Sequence, residues 1–257
     1  MTERPGPRNL LRGFLVVALA LVAVAPARAV APVPASGCRA LAHGGASYTI
    51  CSFDLRRYAL KLFLGNADGQ PYGSLANLAR SPAGANLAMA MNAGMYHHDL
   101  SPVGLYVEDG RQLKPANQAA GPGNFHMKPN GVFYVAEGRA GLLETGAFLK
   151  KRLRATIATQ SGPMLVIDGR LHPRFSDEGP SRKIRNGVGL RDANSVVFAI
   201  SDEPVSFGAF ARLFRDELGC RNALFLDGSI SALHAPALGR TDMSLKPLGP
   251  IVGVLAK

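Results

Sequence analysis

The residues of this chain best suited to chemistry stand at the ends of short apolar runs. The clearest case is Asn222-Ala223-Leu224-Phe225-Leu226-Asp227-Gly228-Ser229-Ile230-Ser231, where a strand-like run ends abruptly in a carboxylate and a glycine. An Asp in that position sits where core gives way to surface or cleft, and Gly228 lets the backbone turn and a ligand come close. The plainer alternative is an Asp-Gly hairpin turn with a solvated carboxylate. Two other runs end in polar groups, at Asn92 after Met91 and at Gln160 after Thr159. Arg185 and Asn186 sit in a short strand where Gly187 and Gly189 are expected to leave room for a ligand. Polar groups held by packed strands have the rigidity that catalysis requires, and the planar fork of arginine fits a phosphate. A carboxylate facing an arginine and an amide suits acid–base or nucleophilic work on an anionic substrate.

Other polar clusters carry less. His97-His98-Asp99 suggests a metal site, but adjacent residues of an extended segment point to opposite sides, and no H-E-x-x-H spacing or cysteine cluster accompanies them. No metal ligand set and no cofactor is therefore expected, a divalent cation being the one alternative kept. Ser161, in Gln160-Ser161-Gly162, lacks the G-x-S-x-G context of a nucleophile elbow. Asp109, Glu137 and Asp168 each precede a glycine and read as hairpin turns.

The elements that must position these groups are mostly strands. Alternation and β-branched or aromatic content predict strands at 48–53, 58–64, 86–91, 103–108, 130–136, 155–160, 164–167, 184–190, 195–201 and 251–255, besides the run before Asp227. A short helix is expected over 75–79. One longer amphipathic helix spans 206–218, with Ser206 as N-cap, Phe207, Phe210, Leu213, Phe214 and Leu218 on one face, and Gly219 after its end. The loops 114–129 and 175–183 are long and rich in Gly and Pro, as functional loops often are. The sum is an α+β fold of strand-rich, mixed or antiparallel sheets with one main helix and a few short ones.

The N-terminus reads differently. Arg4, Arg8 and Arg12 precede an apolar run from Phe14 to Ala25, and Ala27-Arg28-Ala29 is a small-x-small cleavage site. Residues 1–29 are a secretory signal peptide, 30–47 a Pro/Ala-rich leader and 48–257 the functional domain. No transmembrane segment is expected after cleavage, and the destination is the periplasm or the exterior. Ala35-Ser36-Gly37-Cys38 offers lipid attachment at Cys38 as the alternative. In an oxidising compartment Cys38 and Cys51 could pair, leaving Cys220; with Cys38 lipidated, Cys51 and Cys220 would remain. The formal charge is +11, and residues 1–29 hold four Arg against one Glu, so about +8 stays on the rest. That balance favours anionic partners. The absence of Trp, of basic repeats and of zinc-finger spacing argues against nucleic acid. Nothing in the sequence fixes an oligomeric state.

Taken in order, the motifs resemble the phosphodiester glycosidase family, which includes the uncovering enzyme of mannose 6-phosphate tags. Asn92-Ala93-Gly94-Met95-Tyr96 is similar to its N-G-G-F-F element, and Pro102-Val103-Gly104 with Asp109-Gly110 to its next strand and turn. Ser161-Gly162-Pro163-Met164-Leu165-Val166 with Asp168-Gly169 resembles the following hairpin. Arg185 to Gly189 matches R-x-x-x-G, and Leu226-Asp227-Gly228-Ser229-Ile230-Ser231 matches L-D-G-G-x-S. Asn124-Phe125-His126-Met127-Lys128-Pro129-Asn130 looks typical of a bacterial exported branch, formerly a domain of unknown function. Ala93 and Ser229 replace family glycines.

The resemblance implies hydrolysis of a sugar-1-phosphodiester at the glycosidic bond, on a phosphorylated glycan or sugar phosphate. Asp227, Arg185 and Asn92 would be catalytic, with Arg185 on the phosphate and Asp227 at the anomeric side. Gln160, Ser161, Asn186, Gly94, Gly228, Ser231, His97, His126 and Lys128 would contact substrate. Two other classes compete: a non-catalytic binder of anionic envelope glycan, and a serine hydrolase using Ser161 or Ser231.

Overall fold

The structure, a computed structural model, describes residues 1–2, 36–176, 179–227 and 230–257. The signal-peptide reading falls almost wholly outside the described residues. Strands follow one another as β1 (Ser36–His43), β2 (Ala46–Asp54), β3 (Tyr58–Phe63), β4 (Leu87–Asn92), β5 (Tyr106–Glu108), β6 (Arg111–Lys114), β7 (Gly131–Ala136), β8 (Arg139–Glu144) and β9 (Ile157–Ser161). They continue as β10 (Met164–Ile167), β11 (Arg170–Leu171), β12 (Asn186–Leu190), β13 (Ser195–Ser201), β14 (Asn222–Phe225), β15 (Leu233–Ala235), β16 (Arg240–Thr241) and β17 (Ile251–Ala256). The helices are α1 (Leu75–Arg80), α2 (Thr145–Lys151) and α3 (Phe207–Arg212).

The strands form three sheets whose pairings are all antiparallel. A seven-stranded sheet has the order β1-β2-β13-β12-β14-β10-β11, and two five-stranded sheets run β16-β15-β4-β17-β3 and β6-β5-β9-β7-β8. The fold is α+β, as its strand-rich pattern predicts. One core joins all three sheets: Met89 and Met91 of β4, Val252 and Val254 of β17, Phe133 of β7, Phe198 of β13 and Leu224 of β14 meet there. On the other face of the large sheet, α3 packs Phe210 and Ala211 onto Val197, Ala199, Ala223 and Phe225. The central strands are therefore apolar on both faces. Their side chains alternate between two cores rather than between core and water.

Several expectations change in detail. The run 206–218 starts as predicted, with Ser206 Oγ accepting from Ala209 N, but becomes a π-turn over Leu213–Glu217. That wider last turn places Leu213, Phe214 and Leu218 in one core. Gly189 serves this packing rather than a ligand: a Cβ there would lie 2.6 Å from Phe214 and 2.7 Å from Cys220 Sγ. The strand expected at 103–108 begins only at Tyr106, because the N–H groups of Val103 and Leu105 bond instead to Met95 O and Gln160 Oε1.

A strand, β1, stands within the stretch read as leader. It pairs residue for residue with β2 and places Cys38 opposite Cys51. The two form a disulfide, which occupies the sulfur that lipidation would need, and Cys220 is free and buried. Among the described residues, no helix is long and apolar enough to cross a membrane.

Candidate active site

The site is built at the junction of the three sheets. Asn92, the last residue of β4, is fully buried. Its Nδ2 donates to Ile230 O (2.6 Å), and its Oδ1 accepts from Ala232 N (2.9 Å). Asn186, the first residue of β12, donates its Nδ2 to Asn92 O (2.9 Å) and Asn92 Oδ1 (3.1 Å). Its Oδ1 accepts from Asp227 N (3.1 Å) and from Ser231 Oγ (3.3 Å). Two buried amides thus grip both ends of the chain segment that carries Asp227. Ser161, at the end of β9, adds a third hold by donating its Oγ to Leu226 O (2.5 Å). Such amides act as scaffolding when every donor and acceptor is matched, since a half-satisfied buried network would be costly. Gly228 lies outside the described residues.

Asp227 opens onto a cleft of about 640 Å³, lined by Met95, Tyr96, His97, His98, Leu100, Val103, Asp227, Ile230, Lys246 and Pro247. One wall is a tight turn after β4. Tyr96 pairs with Pro102, His97 N bonds to Ser101 O, and the Asp99 carboxylate accepts from Ser101 N and Oγ. Tyr96 Oη donates to Pro247 O (3.0 Å), which ties this turn to the loop before β17. Burial, and secondarily the charge of Asp227, pushes the Tyr96 phenol up to about 12. It stays protonated at neutral pH. His97 lines the cleft as expected. Tyr96, His98 and Lys246 also line it: the sequence marked Tyr96 only as part of a motif and His98 only as a metal candidate, and it did not mark Lys246. Lys246 sits in a Ser/Pro loop with no motif around it, so residue type alone gives no signal.

Other expected ligands are differently employed. Arg185 is fully buried and is not among the cleft residues. Its Nε donates to Val205 O (2.9 Å), its Nη2 to Ser181 O (2.6 Å), and its guanidinium lies 3.5 Å over the Phe207 ring. Burial draws its pKa down to about 10, so it remains cationic at neutral pH. Phe207 stacks in turn on Phe175, and Phe175 on His172. Gln160 is likewise internal. Its Oε1 accepts from Leu105 N and Asn117 N, and its Nε2 donates to Asn117 O and Thr145 Oγ1. It clamps the start of the 115–130 loop against β9. Gly94 permits close packing: a Cβ there would meet Gln160 O and Thr159 Oγ1 at 2.5 Å.

His126 and Lys128 fold back onto their own loop. His126 Nδ1 lies 3.0 Å from Ala119 O, and Lys128 Nζ donates to Gln118 O (2.6 Å). Ser231 Oγ reaches Ile184 O (3.2 Å), besides Asn186. Both candidate serines thus bond to main-chain carbonyls rather than to a histidine. Among the described residues, no group of three or more His, Cys, Asp or Glu is placed to hold a metal.

Comparison with known proteins agrees with the motif order. The chain is 39% identical to the uncharacterized protein YigE of Escherichia coli K12 over 176 residues, covering 68% of this chain and 69% of that one. Its fold is similar to the zebrafish N-acetylglucosamine-1-phosphodiester alpha-N-acetylglucosaminidase catalytic domain, with a TM-score of 0.60 at 13% identity, over 88% of this chain and 85% of that one. It is also similar to a putative exported protein of Burkholderia pseudomallei, with a TM-score of 0.52 at 14% identity, over 82% and 74% of the two chains. The family model for phosphodiester glycosidase matches residues 85–239. That stretch carries Asn92, Asn186 and Asp227, and the chain belongs to the phosphodiester glycosidase family.

Proposed function

We propose that this protein hydrolyses a sugar-1-phosphodiester at the bond between the anomeric carbon and the phosphate oxygen. The observation that carries the reading is Asp227, a carboxylate held at the wall of an open cleft by amides from two sheets, with Lys246 and two histidines on the same cleft. Water adds its oxygen to C1, the C1–O bond breaks toward phosphate, and a phosphate monoester leaves. That leaving group is good enough to need little acid assistance, so stabilising positive charge at C1 matters most. Asp227 does this and accepts the proton of water. Lys246, His97 and His98 surround the phosphate, while Arg185 supports the strand from beneath. Asn92 and Asn186 act through Asp227, as positioning residues. Tyr96 and the apolar wall of Met95, Leu100 and Val103 border the sugar.

The protein works outside the cytoplasm in this reading. The N-terminal signal, the Cys38–Cys51 disulfide and the similarity to an exported protein support that. The test is turnover of UDP-N-acetylglucosamine and a panel of sugar-1-phosphodiesters by the purified protein and by Asp227→Asn. Free sugar released by the first and lost with the second is the expected result. Binding without release across the panel would replace hydrolysis with glycan binding, and undiminished release by Asp227→Asn would remove Asp227 from the chemistry.

A further inference from the structure

Lys246 and Pro247 line the cleft from a loop whose outer side is apolar. Among the described residues, Met243 and Leu245 are the most exposed large hydrophobic residues after Met1, at 97% and 105% of full accessibility. Their display is built in. Asp242 fixes the start of the loop by accepting from Leu233 N and from both Nε and Nη2 of Arg240, and Leu248 N closes its end on Gly73 O. Between these anchors, Ser244 Oγ donates to Lys246 O and lies 3.3 Å from Lys246 N. This turn leaves Met243 and Leu245 in water while Lys246 lines the cleft. Scattered surface apolar residues are ordinary, but two fully exposed ones within three residues of a cleft-lining lysine are not scattered. Apolar tips beside lysine suit the boundary between lipid headgroups and acyl chains, and the balance of about +8 that residues 30–257 carry draws a protein to anionic lipid. The apolar character continues inward through Pro247, Ile230, Leu100 and Val103.

We infer that the 243–246 loop docks on an anionic lipid surface, and that the substrate is a glycosyl phosphate ester of a membrane lipid alcohol. The sugar reaches Asp227, the phosphate lies by Lys246, and the lipid chain leaves past Met243 and Leu245. The substrate class rests on the hydrolase reading above; the docking does not.

Two measurements separate them. The chain contains no Trp, so Leu245→Trp is a single reporter placed on the loop itself. With vesicles of phosphatidylcholine and phosphatidylglycerol, its emission should shift to the blue and be quenched by brominated lipid. Unchanged emission would overturn the docking whatever the enzyme does. The Met243→Ser/Leu245→Ser variant is then compared with the parent on a short-chain and a vesicle-borne long-chain alkyl sugar-1-phosphate. A loss of about tenfold or more in kcat/KM confined to the vesicle-borne ester is expected. Equal rates for the two proteins on both esters would overturn the lipid-substrate assignment. No hydrolysis of either ester by a parent that does cleave UDP-N-acetylglucosamine or another member of the panel would overturn the lipid-substrate assignment and leave the hydrolase reading standing. No hydrolysis of the esters or of the panel would defeat both, leaving the fluorescence result to decide the docking alone.

Discussion

Asn186 joins the Asp227 main chain to Asn92: its Oδ1 accepts from Asp227 N at 3.1 Å while its Nδ2 donates to both oxygens of Asn92. One side chain therefore sets the spacing between β4 and the carboxylate-bearing segment. Asn186→Ala should leave several buried groups unmatched, at about 1–3 kcal/mol each. Loss of position at the reacting centre should lower kcat about 100-fold. Thermal unfolding and turnover on one substrate check the two effects. A stable variant with full activity would show that Asp227 is positioned without it.

Lys246 and Arg185 offer a contrast between two cations. Lys246 lines the cleft, so Lys246→Ala should raise KM for phosphodiesters about tenfold, the scale of a hydrogen bond to a charged group, and leave the melting temperature unchanged. Arg185 is bonded to Val205 O and Ser181 O and stacked on Phe207. Arg185→Ala should cost about 3 kcal/mol or more in stability, measured by denaturant unfolding. An Arg185→Ala protein of parental stability that has lost affinity only for phosphodiesters would return the phosphate to Arg185.

Stability should decline on mild acidification. Burial holds the imidazoles of His172 and His234 below their ordinary 6.5. Above that value both states are neutral and the contribution is fully present. As pH falls through it, the unfolded chain binds protons first and stability drops until the folded-state values are passed. Half-buried Glu108 has the opposite sign: partial burial raises its pKa above 4.5, so its contribution is full below 4.5 and fades as pH rises through the folded value. His172→Phe keeps a ring against Phe175 and should flatten the slope of unfolding free energy measured between about pH 5 and pH 7. An unchanged slope would assign it to other groups.

The Cys38–Cys51 bond closes a loop of 13 residues between two paired strands. Its reduction should destabilise the protein by about 3 kcal/mol. Unfolding with and without reductant, with thiol counting, checks this: one titratable thiol is expected in the unfolded oxidised chain and three after reduction.

The sequence made the strands legible because apolar runs with abrupt polar ends are hard to build otherwise. Asn92 and Asp227 were visible for that reason. The same rule pointed to Gln160, whose amide is matched by Leu105, Asn117 and Thr145 within the protein. Nothing local distinguishes an amide that meets substrate from one that meets main chain. Arg185 shows the converse limit, since stacking on Phe207 joins residues 22 apart in the chain through tertiary structure alone. Strand β8 and helix α2 were missed in a stretch of mixed pattern, and Lys246 and Tyr96 owe their place to a loop contact through Pro247.

The meeting of three sheets at one site has a consequence for how activity arises. Asn92 bonds to Ile230 and Ala232, 138 and 140 residues away, and to Asn186 across 94. Contacts of such sequence separation form slowly and late, because loop closure must come before any reward. An unfolded chain therefore carries no trace of the site. In refolding, enzymatic activity should return after the far-ultraviolet signal of its strands, which makes catalytic competence a report on completed folding.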